Sequence, residues 1–243
     1  MSFSRTVAIS VAILGICATS ICAQAKSKIP NRLLNDKTKL LKLPEVRKEL
    51  KIDAETVALI KKIEAKAVVE NRVLYRKESE AMREARGSGN RAKRKKIMKD
   101  SLKERQEARR RASAAMIDLL SVQQDKRLAE ITTQAIGWEA VYYDEYAAVL
   151  RITEQQRKKL SEKEKEYKEV RRKLLQKLRN EGKNIRETMD KVYESRVKAM
   201  EAFAREIMTE KQIKDMAELK GKPFKFQNKL NALRQFQSGY WTN

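Results

Sequence analysis

Basic side chains have the clearest capacity for binding chemistry in this sequence, and they are concentrated in two stretches. Residues 91–111 contain eleven basic and three acidic residues, and residues 157–183 contain twelve basic and five acidic residues. Such an excess creates a positive potential that attracts anionic partners. The predicted anion-binding residues are Lys93, Arg94, Lys95, Lys96, Arg109, Arg110, Arg111, Arg171, Arg172 and Lys173. The alternative is a solvated helix face stabilised by pairs such as Glu164/Lys168.

Residues suited to catalysis or metal binding are scarce. The chain has no histidine, and its two cysteines, Cys17 and Cys22, lie in an N-terminal apolar segment. Carboxylates such as Asp144 and Glu145 are frequent, but none accompanies a recognisable nucleophile or a Gly-rich phosphate loop. We therefore expect a protein that is not an enzyme and that uses no cofactor or metal ion.

A Ser/Thr-x-x-Gln spacing occurs three times and predicts the start of a helix each time. The pairs are Ser121/Gln124, Thr153/Gln156 and Thr209/Gln212. In such a capping box the hydroxyl accepts from the backbone N–H three residues later, and the glutamine accepts from the backbone N–H of the Ser or Thr. A degenerate fourth copy begins at Asp53, where aspartate can still cap but threonine replaces glutamine at position 56.

The elements that must position these residues are predicted to be helices. Apolar residues recur at steps close to three, four and seven, and no segment alternates with period two. Scarce glycines interrupt the pattern near residues 87–89 and 180–182. The sequence thus predicts an all-α protein with two tandem long helical hairpins and short flanking helices. The predicted packing residues are Val57, Ile60, Ile63, Ala67, Leu74, Met82, Ile97, Leu102, Ala112, Met116 and Leu119 in the first hairpin, and Leu160, Tyr167, Val170, Leu174, Leu178, Ile185, Met189, Val192, Val197, Met200, Phe203 and Ile207 in the second.

An internal repeat supports this organisation. Residues 45–63 align with 145–163 at an offset of 100, and residues 121–131 align with 209–219 at an offset of 88. We predict a first hairpin repeat at 26–137, a second at 138–220, and a C-terminal tail at 221–243.

The first 25 residues have the pattern of a secretory signal. Arg5 is followed by an apolar run from Val7 to Ala23 and by the small-x-small site Ala23-Gln24-Ala25. A retained anchor is the alternative, whereas the isoleucine before each cysteine disfavours lipid attachment. Cleavage would leave 55 basic and 33 acidic residues, a net charge of +22, and no transmembrane segment. We therefore expect a secreted, periplasmic protein.

The three motifs resemble the LTxxQ motif of the Spy/CpxP-like periplasmic family, with the best match in Leu150-x-Ile152-Thr153-x-x-Gln156. The resemblance covers roughly residues 43–220. It implies an all-helical cradle, often dimeric, that binds unfolded or aggregation-prone proteins without nucleotide or serves as an envelope-stress accessory. Two fused hairpins would replace the family's dimer with an intramolecular pseudo-dimer, although a homodimer remains the alternative. The degenerate copy at Asp53 has neither the threonine nor the glutamine of the family pattern, and no copy has a proline after the threonine.

One group of aromatic residues lies in the connector between the repeats, and another lies in the C-terminal tail. Trp138, Tyr142 and Tyr146 have helical spacing, which predicts that with Tyr143 they pack between the two hairpins rather than form a binding platform. The tail contains Phe224, Phe226, Phe236, Tyr240 and Trp241. It either folds back along a hairpin or binds a partner.

The sequence therefore favours an ATP-independent chaperone or binding protein whose basic helical arms attract unfolded or acidic client proteins. One alternative is a structural coiled-coil protein that binds anionic envelope surfaces. A second is non-specific nucleic-acid binding, which we expect at low salt only, because residues 91–111 have no aromatic side chain for base stacking.

Overall fold

The chain forms helices joined by short turns in the computed structural model, which describes residues 31–87, 89–182 and 185–226. The prediction of an all-α fold is confirmed for these residues, which contain no strand. The helices are α1 (Asn31–Leu40), α2 (Pro44–Glu49), α3 (Ala54–Gly87), α4 (Arg91–Ile117), α5 (Val122–Ile136), a 3₁₀ helix (Gly137–Tyr142), α6 (Asp144–Val149), α7 (Glu154–Asn180), α8 (Ile185–Ile207) and α9 (Glu210–Lys220). The predicted signal segment and the tail aromatics Phe236, Tyr240 and Trp241 lie outside the described residues.

The long helices pack in pairs, α3 against α4 and α7 against α8. Two ion pairs show that α3 and α4 are antiparallel, because Glu70 pairs with Arg111 whereas Glu78 pairs with Arg105. The turn between them is closed by Asn90, whose side chain accepts from the backbone N–H of Lys93 at 2.9 Å. Both pairs extend away from a shared core that lies at their bases.

That core contains residues from both predicted repeats and from α1. Leu40 and Leu41 at the end of α1 are fully buried, together with Leu128 and Ile131 of α5 and Met216 of α9. Sequence reasoning missed this role of α1, because it made no specific prediction for residues 31–40. The two repeats are therefore held together by one hydrophobic cluster.

Buried polar contacts fix the position of α1. Lys37 is only 4% exposed and forms an ion pair with Asp125 of α5 at 2.8 Å. The Tyr143 hydroxyl donates to the carboxylate of Asp36 at 2.7 Å. Because buried polar groups are stable only when partnered, these contacts make the docking of α1 specific rather than merely apolar.

The four aromatic residues between the repeats are packed as predicted, but they do not lie on one face of a single helix. Tyr143 and Tyr146 are buried, and Trp138 and Tyr142 pack against the core. They do not share one helix, because the 3₁₀ helix ends at Tyr142 and Tyr143 is extended, with φ −95° and ψ 131°. The helical spacing we used was therefore wrong, although the packing is confirmed. Burial raises the pKa of Tyr146 to about 12, and its hydroxyl lies 2.7 Å from that of Thr133.

Three of the residues that we predicted to pack are instead exposed. Leu102, Val170 and Val197 are 47%, 58% and 38% exposed. A helix with one neighbour buries only a narrow stripe, and in α4 that stripe runs through Ile97, Arg105 and Ala108. Arginine stems take some of the inward positions, since long charged side chains cover apolar surface while their heads find partners. The side chains of Ile185 and Met189 lie outside the described part.

The ends of α2 and α6 share a strained geometry that the offset of 100 predicts. Lys51 and Arg151 both have positive φ, 51° and 52°. The residue after each donates its N–H to the carbonyl five residues back, from Ile52 to Arg47 at 3.1 Å and from Ile152 to Ala147 at 2.8 Å. Both are Schellman ends, in which glycine is the usual residue at the left-handed position.

We therefore expect Arg151→Gly to raise the free energy of unfolding, by about 1 kcal/mol, because a left-handed conformation costs a side chain energy that glycine avoids. Urea denaturation measures the change. Arg151→Ala is the matched control, since it removes the same side chain but keeps a Cβ, and it should not stabilise. A lower stability for Arg151→Gly than for Arg151→Ala would contradict this prediction.

Candidate functional site

All three Ser/Thr-x-x-Gln motifs form reciprocal capping boxes. The hydroxyls of Ser121, Thr153 and Thr209 each accept from the N–H of the glutamine three residues later at 3.2 Å. Each glutamine accepts in return from the N–H of the capping residue, at 2.9 to 3.0 Å. These boxes start α5, α7 and α9.

The degenerate copy also caps its helix. Asp53 accepts from the N–H of Thr56 at 2.6 Å, which starts α3. This hydrogen bond is the main reason that the pKa of Asp53 is lowered. Threonine at position 56 replaces glutamine and gives only half of the box.

Each glutamine makes a second contact that its motif does not predict. The amide of Gln124 donates to the carbonyl of Leu50 at 3.0 Å, and that of Gln212 donates to the carbonyl of Leu150 at 3.0 Å. These contacts are equivalent in the internal repeat, since 124 and 212 differ by 88 and 50 and 150 differ by 100. In both repeats the cap of the closing helix thus binds the end of the short approach helix.

The second repeat adds a contact that the first lacks. The amides of Gln156 and Gln212 donate to each other's oxygens, at 2.8 and 3.1 Å. Gln156 also donates to the carbonyl of Ile207 at the end of α8, at 3.1 Å. Position 56, equivalent to 156, holds threonine, whose side chain is too short for this bridge. Gln212 is buried, 7% exposed, whereas Gln124 is half-buried.

The predicted anion-binding residues occupy two different helices. Seven lie on α4 and three on α7, and all are exposed except Arg94 and Arg171, which are half-buried. Arg110, Arg111 and Arg172 already have carboxylate partners, Glu107, Glu70 and Glu169, at 2.6 to 2.8 Å. Exposed pairs of this kind contribute little to stability.

Two pKa shifts show how neighbouring groups and burial affect these cations and their partners. The hydrogen bond from Arg110 is the main cause of the lowered pKa of Glu107. Burial, and then the charge of Arg196, lower the pKa of Arg171. Arg171 is therefore part of the packed α7/α8 interface, and of the ten predicted residues it is among the least available to an external anion.

Sequence reasoning missed two partly buried ion pairs between elements. Arg105 pairs with Glu78 across α3 and α4, and its guanidinium lies 4.3 Å from the centre of the Tyr75 ring. Arg196 of α8 pairs with Glu139 of the 3₁₀ helix at 2.6 Å, with side chains 12% and 13% exposed. A signal existed for Arg105, because it follows the inward Ile97 at a helical spacing of eight.

An exposed apolar surface lies on α3, on the side that faces away from α4. Val68, Val69 and Val73 of α3 are 59%, 60% and 47% exposed, and we call them the α3 valine patch. The ion pair between Glu70 and Arg111 places this patch level with the Arg109, Arg110 and Arg111 cluster along the hairpin axis. Apolar and cationic contacts are therefore available at the same height.

The described residues offer little else for a ligand. They contain no group of three or more histidine, cysteine or acidic residues that could hold a metal ion, and no helix long and apolar enough to cross a membrane. A cavity of about 260 Å³ is lined by Gln134, Phe224, Lys225 and Phe226. The N–H of Phe224 donates to Gln134 at 2.8 Å, so residues 221–226 fold back onto α5.

We expect Gln212→Ala to lower the free energy of unfolding by about 2–3 kcal/mol, because it removes the glutamine half of the capping box and leaves the buried carbonyl of Leu150 without its donor. Gln124→Ala should cost less, about 1–2 kcal/mol, since Gln124 is half-buried and has no glutamine partner. Chemical denaturation gives both values.

The matched control is Gln155→Ala, which removes an exposed glutamine next to Gln156 and should change stability by less than about 0.5 kcal/mol. A loss for Gln124→Ala equal to or larger than that for Gln212→Ala would show that the bridge to Gln156 does not contribute.

Comparison with known proteins gives no family assignment. No protein-family model, no curated protein and no solved structure matches this chain. The resemblance of the three motifs to the Spy/CpxP-like family therefore stays a prediction.

Proposed function

We propose that this protein is an exported, ATP-independent chaperone or envelope-stress accessory of the Spy/CpxP-like type, which binds unfolded acidic proteins along its first hairpin. The observation that carries the proposal is the α3 valine patch. Its three valines are 47% to 60% exposed, and they lie at the same height along the hairpin as Arg109, Arg110 and Arg111. Isolated exposed apolar residues are ordinary, but a group of exposed apolar residues that is surrounded by polar residues is typical of interaction sites.

Charge and apolar contacts would act in sequence. The α4 helix carries eleven basic and three acidic residues, so its field attracts acidic chains over about one Debye length, roughly 8 Å in physiological salt. Apolar side chains of the client then contact the valines. Both contacts are individually weak, so release needs no nucleotide, consistent with a sequence that has no Gly-rich phosphate loop.

The tandem arrangement is the proposed substitute for a family dimer. Two features support it: the equivalent contacts of Gln124 and Gln212 with the ends of α2 and α6, and the single hydrophobic cluster that joins both repeats. The repeats are not equal in charge, because α3 and α4 together carry 19 basic and 9 acidic residues, whereas α7 and α8 together carry 16 basic and 10 acidic residues. We therefore assign client binding to the first hairpin.

The test is suppression of aggregation by the wild-type chain and by the variant Val68→Gln/Val69→Gln/Val73→Gln. The client is a disulfide-reduced acidic protein that aggregates at neutral pH, followed by light scattering. We expect the variant to need a molar ratio at least about fivefold higher for half-suppression, because it loses apolar area available to the client. Its own unfolding midpoint should be unchanged, since these side chains are exposed.

The matched control is Val122→Gln/Val149→Gln/Val170→Gln, which changes three valines that are 55% to 72% exposed but lie outside the patch. It should suppress aggregation like the wild type. Failure of the wild type to suppress aggregation would refute the chaperone proposal, and equal losses in both variants would refute the assignment to the first hairpin.

A further inference from the structure

The outward face of α4 carries an unbroken row of lysines. Positions 97, 101, 105, 108 and 112 face α3 and are buried or half-buried. Lys95, Lys99 and Lys103 recur at steps of four, two residues away from the inward positions, which places them on the opposite side of the helix. With the neighbouring Lys96, they form what we call the α4 lysine row.

The lysines of this row have no carboxylate partner within the described part of the chain. All four are exposed, and none takes part in an ion pair there, in contrast to Arg110 and Arg111 nearby. Glu107 follows Lys103 at the next step of four and ends the row, and Asp100 lies four residues after Lys96. Lys95 and Lys99 have no acidic residue three or four positions away, so positive charge is concentrated at that part of the row.

The corresponding face of α7 shows that this arrangement is not a general property of the long helices. Its outward positions alternate in sign, through Lys158, Glu162, Lys165, Glu169 and Arg172. Arg172 and Glu169 pair at 2.8 Å. This is the self-compensated pattern of a solvated helix, and it makes α7 an internal comparison for α4.

An apolar edge accompanies the row. Met98 and Leu102 are 55% and 47% exposed, and each follows a lysine of the row, Lys95 or Lys99, by three residues. Side chains three residues apart on a helix are neighbours. A cluster of basic residues close to a membrane surface is attracted to anionic lipids.

We infer that α4 docks the first hairpin on an anionic phospholipid surface, with the lysine row on the headgroup phosphates. A plane can contact all four lysines at once, because they lie on one helix face. Lysine binds phosphates as a point charge and needs no fixed geometry, which suits mobile headgroups. Nucleic acid is less suited, since α4 has no aromatic side chain on which bases could stack.

Lipid binding by the α4 lysine row is separate from the proposed client binding. Clients would be attracted by Arg109, Arg110 and Arg111 and would contact the α3 valine patch, whereas the α4 lysine row would contact lipid. The vesicle experiment below contains no client, so its outcome is independent of the aggregation test.

The test compares binding of the full chain to vesicles of phosphatidylglycerol with phosphatidylethanolamine and to vesicles of phosphatidylcholine, by co-sedimentation at low and high salt. The readout is the ratio of the two partition coefficients, because apolar insertion by other segments contributes to both. We expect a strong preference for the anionic vesicles that falls steeply as salt rises. Each lysine near such a surface contributes about a fivefold increase in binding.

The variant Lys95→Gln/Lys96→Gln/Lys99→Gln/Lys103→Gln should therefore lose at least about a hundredfold in anionic preference. The charge-retaining variant with arginine at the same four positions should keep it. The matched control is Lys158→Gln/Lys159→Gln/Lys165→Gln/Lys173→Gln, which removes four exposed lysines of α7 and the same net charge. It should retain the preference to within about tenfold.

Three results would overturn the inference. In the first, the wild type would show no preference for anionic vesicles. In the second, the α4 and α7 variants would lose the preference equally, which would show that binding depends on the net charge and not on the position of the lysines. In the third result, the protein would bind a soluble acidic peptide or single-stranded nucleic acid through these lysines but would not bind vesicles.

Discussion

The fold depends on the glutamine side chains that start one helix and hold the end of another. A capping box satisfies two orphan N–H groups at a helix start, and here the same glutamine uses its remaining donor for a carbonyl at the end of a second helix. Gln212 does this within the core, binding the carbonyl of Leu150 and the amide of Gln156. Because a buried carbonyl without a donor is costly, the angle between these helices is fixed by hydrogen bonding as well as by packing.

This constraint explains why the long hairpins can extend from a small core. The helix ends are held together at the base, where α2, α6 and the caps meet, so the arms need little burial of their own. In α3 only Ile60 and Ala85 are buried, and the interface with α4 includes the ion pair of Arg105 with Glu78. The arms are therefore left with apolar and basic surface that is not used for folding. The first hairpin has most of it, and both proposed binding surfaces lie there.

Features that depend on local sequence could be predicted, whereas those that depend on distant partners could not. The boxes at Ser121, Thr153 and Thr209 follow from a spacing of three residues, and helices follow from periodicity. The second contact of Gln212 joins residues 62 positions apart, and no pattern within the motif indicates it. The ten residues of α1 mix leucines with Asp36 and Lys37, and a buried lysine is identifiable only once Asp125 is seen beside it. The predicted burial of Leu102 was wrong, because a helix with one neighbour buries a narrower stripe than apolar periodicity suggests.

We expect the glutamines of the second repeat to act as a coupled pair rather than as two separate caps. A double-mutant cycle with Gln156→Ala, Gln212→Ala and the double variant, measured by urea denaturation, tests this coupling. The two amides donate to each other at 2.8 and 3.1 Å, so we expect the effects on the free energy of unfolding to be non-additive by about 1 kcal/mol or more. Additivity to within about 0.3 kcal/mol would contradict the claim, and it would reduce the motifs to independent helix caps.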